Sequence, residues 1–441
     1  MESINGYKLK SLLLFSLKNL KKNESVLNDL NVFPVPDGDT GTNMRLTLEY
    51  GLLQASEEEH IGNYAKKLSL GMLVGARGNS GVILSQIFRG IAKGLKELNV
   101  AYVDDLINAL VLGYQTAYKA VKKPVEGSIL TVCRLGIENI KNQEFASVDE
   151  FIKKLCMSMK NVLDDTPNMM PILKEANVID SGGAGLYSIF EGMLEYFGEE
   201  SFVVLDSKNK KKLKYKKATE HKLISYIVVS NGVGFRNLFE ELGADFIIDA
   251  DRSMNVATNE FIDTINSTNS DYIIMLPNNK NNYLACEQAV EMTNAKNVYI
   301  LESESLVSGY FAMSMIDLTS KDFNLQLLNA RKGIENVDSI EITRAIKNNK
   351  INGIEFKKGE YIAFYNNNPL SSKENIIDAI KEGINMINLE QKEILAIFYG
   401  VELDENLRSE INEFIYDNYG ELEIGEVEGN QDNFELIIGI S

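Results

Sequence analysis

Tryptophan is absent from the 441 residues, and cysteine, histidine and proline are scarce, at three, two and seven. Cys133, Cys156 and Cys286 stand far apart with no C-x-x-C pair, which argues against a disulfide framework and suits a reducing compartment. His60 and His221 have no ligand-spaced neighbour, so a structural zinc site is not expected. Long hydrophobic runs are also missing, and no stretch approaches the length of a membrane span. The run Leu12-Leu13-Leu14-Phe15 is too short for a secretory core and lies between lysines without a small-residue cleavage site. Leu9, Leu13, Leu17 and Leu20 instead share one helical face. A cytoplasmic protein is the expectation. Positive charge is in deficit, with 45 basic against 63 acidic residues and a net charge of −18. Such a surface repels phosphate backbones, so nucleic acid is not an expected partner. It would repel ATP as well, so any nucleotide site must be local and carried by metal or backbone amides.

What is present is ordinary for a globular chain: 44% hydrophobic and 24% charged residues, in a length that suggests two or three domains. Residues 1 to about 200 read as helical. Met44, Leu48 and Leu52 share a face, as do Ile83, Ile87, Ile91 and Leu95, and Val103 to Ala120 and Val148 to Val162 are further helical stretches. Ser207 to Lys217 holds seven lysines in eleven residues and no apolar face, which reads as a solvated linker. Beyond it, β-rich runs at Ile224–Ser230, Tyr272–Leu276 and Val298–Leu301 alternate with helical stretches, implying a parallel sheet with covering helices. Tyr361–Tyr365, Ile394–Tyr399 and Phe434–Ile440 are further strand candidates. The expected architecture is multidomain: an all-α domain over 1–203, a lysine-rich linker over 204–222 and an α/β domain over 223–441.

Four loops carry candidate chemistry. In Asn31-Val32-Phe33-Pro34-Val35-Pro36-Asp37-Gly38-Asp39-Thr40-Gly41-Thr42-Asn43-Met44, two prolines stiffen the approach and a glycine lets Asp37 and Asp39 aim at one point. Paired carboxylates on a tight loop suit a hard cation such as Mg²⁺. EF-hand spacing is excluded, because Thr42 stands where its glycine should be and Leu48 where its glutamate should be. A helix starts near Thr42, and its free amides suit phosphate oxygens. The plainer reading is an Asx-turn that only caps a helix. Gly75-Ala76-Arg77-Gly78-Asn79-Ser80-Gly81 also opens into a helix but lacks the Lys-Ser/Thr pair of a Walker A loop. Close helix packing would explain its glycines equally well. Pro124 to Thr131 and Val178 to Gly185 complete the set. Four small-residue loops, each near a helix start, fit helices whose ends gather round one nucleotide.

The segment Asn31–Met44, the segment Gly75–Gly90, Glu126-Gly127-Ser128-Ile129-Leu130-Thr131 and Asp180-Ser181-Gly182-Gly183 resemble the successive motifs of the dihydroxyacetone kinase nucleotide-binding domain. They are most similar to its version in the ATP-binding subunit of bacterial fatty acid kinase. The resemblance implies a helical barrel closing over Mg·ATP, with Asp37 and Asp39 as magnesium ligands and catalytic residues. It implies that Thr40, Gly41, Thr42, Asn43, Asn79 and Ser80 hold the phosphates. Gly127 and Ser128 would line the nucleotide site, and Asp180 and Gly182 would lie near the adenosine end. Ser230 to Phe235, Met254-Asn255 and Leu276 to Asn281 resemble the same subunit's last domain, which implies docking of a separate protein that carries the fatty acid substrate, and a place in phospholipid metabolism.

Three departures stand out against that pattern. Asn28 occupies a position usually held by aspartate and brings no charge. The Cys- and His-bearing middle domain is missing, so zinc binding and dimerisation through it are not expected, and the oligomeric state is left open. The family's Gly-Gly-Gln-Thr-Met-Asn-Pro-Ser-Thr loop reads here Ala250 to Thr258, without its glycines and proline. Rival readings are a dihydroxyacetone-type small-molecule kinase, a non-catalytic scaffold that keeps the fold, and a dinucleotide oxidoreductase built on Gly232-Val233-Gly234. The last lacks the third glycine of its motif, and a tight β–α turn explains the pair. The amide-rich loop Leu276 to Asn282 reads either as a loop satisfying backbone groups or as part of a docking face. Arg77 is either a structural residue or a charge neutraliser for the transferring phosphate.

Overall fold

The computed structural model describes residues 3–33, 38–197, 215–345, 348–351 and 354–441. Pro34 to Asp37, most of the expected linker 204–222 and most of its lysine-rich stretch lie outside the described residues. The chain divides into two compact units that part near residue 212.

The first unit is helical: α1 (Gly6–Asp29), α2 (Thr40–Gln54), α3 (Ile61–Gly75), α4 (Gly78–Leu95), α5 (Val103–Ala120), α6 (Ile129–Glu138), α7 (Val148–Met169), α8 (Pro171–Ala176) and α9 (Ser181–Tyr196). Asn5, Ser147 and Asp180 start α1, α7 and α9 by accepting the amide three residues on, which satisfies donors that the first turn leaves unpaired. Leu13, Leu17 and Leu20 are buried along α1 and Met44, Leu48 and Leu52 along α2, as their spacing predicts. These faces build one apolar core. Polar side chains lock α1 to α9 within it: Ser16 Oγ donates to the Ile189 carbonyl at 2.7 Å and Asn19 Nδ2 to the Ser188 carbonyl at 2.9 Å. Among the described residues no helix is long and apolar enough to cross a membrane.

The second unit opens with β1 (Lys222–Ser230), α10 (Val233–Glu241), β2 (Phe246–Asp249), α11 (Thr258–Ser267), β3 (Ser270–Leu276), α12 (Tyr283–Thr293), β4 (Val298–Ile300), α13 (Leu306–Ser314) and α14 (Phe323–Asn336). Its strands form the expected parallel sheet, in the order β2-β1-β3-β4. Ile224 to Ser230 are all buried, the near-continuous run of a central strand covered on both faces.

The chain then changes style, with β5 (Asp338–Arg344), β6 (Asn349–Ile351), β7 (Ile354–Phe356), β8 (Tyr361–Tyr365), β9 (Asn368–Lys373), α15 (Ile376–Ile384), β10 (Ile394–Tyr399), α16 (Glu405–Tyr419), β11 (Glu423–Val427) and β12 (Leu436–Ile440). A mixed sheet results, ordered β11-β10-β12-β5-β8-β9, in which only β10 and β11 run parallel. The β–α alternation therefore predicts the first sheet and not the second. One face of the mixed sheet packs Ile340, Ile342 and Ile438 with Ile380 of α15 and Ile411 of α16. Strand alternation sends Glu341 to the opposite face. There it is 2% exposed and its Oε2 has no hydrogen-bond partner. Burial pushes its carboxyl up to about 8.

Asparagines stitch together the loops that follow the parallel strands. Asn231 Nδ2 donates to the Ala250 and Asp251 carbonyls and to Asp432, whose amide returns a bond to Asn231 Oδ1. Asn278 Nδ2 donates to the Val229 carbonyl, and Asn282 bonds Met254, Pro277 and Val256. The amide-rich loop thus satisfies backbone groups, its own and its neighbours'. Gly232 turns at φ +86°, and a Cβ on Gly234 would lie 1.6 Å from the Glu428 carbonyl oxygen. This close approach of residues 428–430 accounts for both glycines of the Gly232-Val233-Gly234 turn without a dinucleotide.

Candidate functional site

The sequence places four small-residue loops before four helices, and the structure starts α2, α4, α6 and α9 there. Asp39 is the N-cap residue of α2, yet its side chain does not cap the helix. The first turn is held by other groups. Asn31 Oδ1 accepts both the Thr40 amide, at 3.2 Å, and the Thr40 hydroxyl, at 2.6 Å. Asn28 Oδ1 accepts the Thr42 amide at 3.1 Å, and Asn28 Nδ2 donates to Thr42 Oγ1 at 3.0 Å. Thr42 Oγ1 donates to Glu24 Oε1, and Arg45 Nε pairs with Glu24 Oε2 at 2.7 Å. Two amides read from the sequence as free are therefore spent on asparagine side chains. Gly41 is glycine because α1 passes so close: a Cβ would stand 2.6 Å from the Glu24 carbonyl oxygen.

The start of α9 meets that of α2 through Ser181 Oγ, which donates to Thr40 Oγ1 at 3.2 Å. It meets the start of α6 through Asp180. That carboxylate accepts the Gly183 amide at 2.6 Å and also the Ile129 amide. Burial pushes the Asp180 carboxyl up to about 7, with the two amides pulling the other way. Gly182 lies against Ile129. Just before α6, the Gly127 amide donates to Thr131 Oγ1 and Ser128 Oγ donates to the Val125 carbonyl. The start of α4 meets α2 through the Arg77 amide, which donates to Thr47 Oγ1 at 3.4 Å. Thr47 and Tyr50 also fill the space beside Gly81 and Gly75, so helix packing accounts for those two glycines. Asn79 and Ser80 sit half-buried in the first turn of α4.

Thr40, Asp180 and Gly182 are thus linked through Ser181, whereas Thr42 is tied to Asn28 and Glu24 of α1. Gly41 and Asn43 are buried in the same first turn of α2, and Gly127 and Ser128 adjoin Ile129. Asp37 lies outside the described residues, among which no three acidic, histidine or cysteine side chains cluster as a metal site. Sequence reasoning assigned no role to Asn31, Ser181, Glu24 or Arg45. Glu24 and Asn28 are four apart and so share a helical face, a signal that could have paired them with the helix that follows.

Residues 34–195 match the DAK2 domain, and residues 225–441 match the FakA-like C-terminal domain of fatty acid kinase. An uncharacterised protein of Staphylococcus epidermidis is 30% identical, and one of Staphylococcus aureus 28% identical, each aligned over 100% of both chains. Those alignments run over 554 and 552 positions against 441 residues here, so both relatives carry segments that this chain lacks. A DegV-family protein of Ruminococcus gnavus, solved with vaccenic acid, covers 49% of this chain and 99% of its own at 10% identity and TM-score 0.35.

Proposed function

Because the chain belongs to the FakA-like family of fatty acid kinase proteins, we propose that it transfers the terminal phosphate of ATP to the carboxylate of a fatty acid presented by a separate carrier protein. A carboxylate oxygen attacks the γ-phosphorus, the bond to the bridging oxygen breaks, and ADP leaves as the acyl phosphate forms. A fatty acid carboxylate is ionised at neutral pH and needs no general base, so the scarcity of histidine is no obstacle. Phosphoryl transfer asks the protein chiefly for positioning and charge neutralisation.

The observation that supports this reading is the meeting of the α2, α6 and α9 starts through Thr40, Ser181, Asp180 and Ile129. Helix starts carry partial positive charge, which suits phosphates on an otherwise acidic chain. A magnesium ion on ATP needs few protein ligands, because phosphates and water fill most of its octahedron. Asp39, the N-cap residue of α2, would be one ligand, and Asp37 would be the second. When bound, magnesium would neutralise charge on the phosphates. Asn28 is already engaged with Thr42 and would not join it. The second unit would dock the carrier.

A non-catalytic scaffold is the second reading, and it draws on that same Asn28, which removes a carboxylate from the site. Calorimetric titration of Mg·ATP separates the two. Magnesium-dependent binding is expected, and Asp39→Ala should weaken it at least about tenfold, the worth of one charge-assisted contact. Binding by a folded Asp39→Ala variant equal to that of the parent would sink the metal assignment. Binding without transfer to any carrier-bound fatty acid would favour the scaffold.

A further inference from the structure

The hydrogen-bond donors at the start of α2 extend the proposed reading. A phosphate oxygen accepts hydrogen bonds, so a hydroxyl serves it only with its single proton. The Thr40 proton goes to Asn31 Oδ1 and the Thr40 oxygen accepts from Ser181 Oγ. Asn31, Thr40 and Ser181 are 6%, 5% and 3% exposed, so this chain of bonds is shut away from solvent. Thr42 behaves alike, giving its proton to Glu24 and accepting from Asn28.

We infer that Asn31 and Ser181 are positioning residues for the proposed phosphotransfer, acting through Thr40, and that the Thr40 hydroxyl is not itself a phosphate ligand. The inference rests on the kinase reading for its purpose, though not for its geometry. A single Asn31 oxygen takes both the amide and the hydroxyl of Thr40, which ties residue 31 to residue 40 across the loop that carries Asp39. Ser181 is the first residue of α9, and its neighbour Asp180 holds the Ile129 amide at the start of α6. One buried chain therefore sets the first turn of α2 against two other helix starts.

The test uses the whole 441-residue chain, with Mg·ATP titration and urea unfolding of the ligand-free protein as separate readouts. Thr40→Val, Asn31→Ala and Ser181→Ala should each weaken Mg·ATP binding by about tenfold, the equivalent of one buried hydrogen bond. Thr40→Ser should restore what Thr40→Val loses. The double variant Thr40→Val with Ser181→Ala should lose no more than Thr40→Val alone, because both act through one hydroxyl. If Thr40→Val weakens binding while Asn31→Ala and Ser181→Ala leave it unchanged, Thr40 binds phosphate directly and the inference is overturned. Should the parent itself fail to bind Mg·ATP, the kinase reading falls. Unfolding then judges the clamp: non-additive losses of stability for Thr40→Val and Ser181→Ala uphold it, and additive ones overturn it.

Discussion

Replacing Glu341 with methionine is expected to make the protein more stable, by about 3 kcal/mol at pH 7. The carboxyl lies in the middle of β5, 2% exposed, with one oxygen unpartnered, and its burial raises it from 4.5 to about 8. A group raised in the folded state contributes its full stability below its unfolded value and loses it as pH climbs through the folded one. At pH 7 the unfolded chain has released this proton and the folded chain still holds it, so folding must take a proton up against the pH. Methionine is close in volume and has no charge to desolvate. The gain should therefore shrink as pH falls toward 4.5. Asp180, raised to about 7 for the same reason, remains in both proteins and cancels from the difference. Urea unfolding at several pH values measures it. A variant less stable than the parent at pH 7, or a gain that does not change with pH, would show that Glu341 is not the titrating group.

Gly234→Ala should cost about 3 kcal/mol or more, the upper range for overpacking. The added Cβ would stand 1.6 Å from the Glu428 carbonyl oxygen and 2.6 Å from its carbon. Both are backbone atoms, which cannot swing aside as the end of a side chain would. The bond from the Phe235 amide to the Gly429 carbonyl, at 3.0 Å, would go with the displacement. Gly425→Ala is the control, since nothing lies within 4 Å of its Cβ position, and it should change stability little. Equal unfolding midpoints for the two variants would refute the packing account.

How far this was legible in the sequence depended on how local each feature is. The helix starts could be read because their signals are neighbours: Asp180 before Ser181 and Pro-rich residues before Asp39. The apolar strands β1, β3, β8, β10 and β12 could be read because their own residues are enough. β9 escaped because Pro369 and two serines make an edge strand look like a loop, and β11 because Glu423 and Glu426 do the same. β5 escaped because Glu341 is a charged residue in the interior. The clamp on α2 was out of reach, since it joins Thr40 to Ser181 across 141 positions. The glycines of Gly75 to Gly81 read equally as a phosphate loop or as close helix packing, which the sequence alone does not separate. At Gly41, Gly75 and Gly81 the structure fills the space beside them with α1 or α2.

The bonding of Asn231 also bears on how this protein ages. Asparagine followed by glycine, as in Asn231-Gly232, is the pair whose side chain most readily cyclises onto the next amide and hydrolyses to an acid, a source of thermal lability. In the folded chain its side chain is held by Ala250, Asp251 and Asp432 and is 3% exposed, so the cyclisation geometry is denied. Each excursion to the unfolded state exposes it. The acid so formed would have no proton to donate to those carbonyls and would set a negative charge against Asp432. Shelf life should therefore follow the unfolded fraction, and molecules damaged at this position should be those that fail to refold.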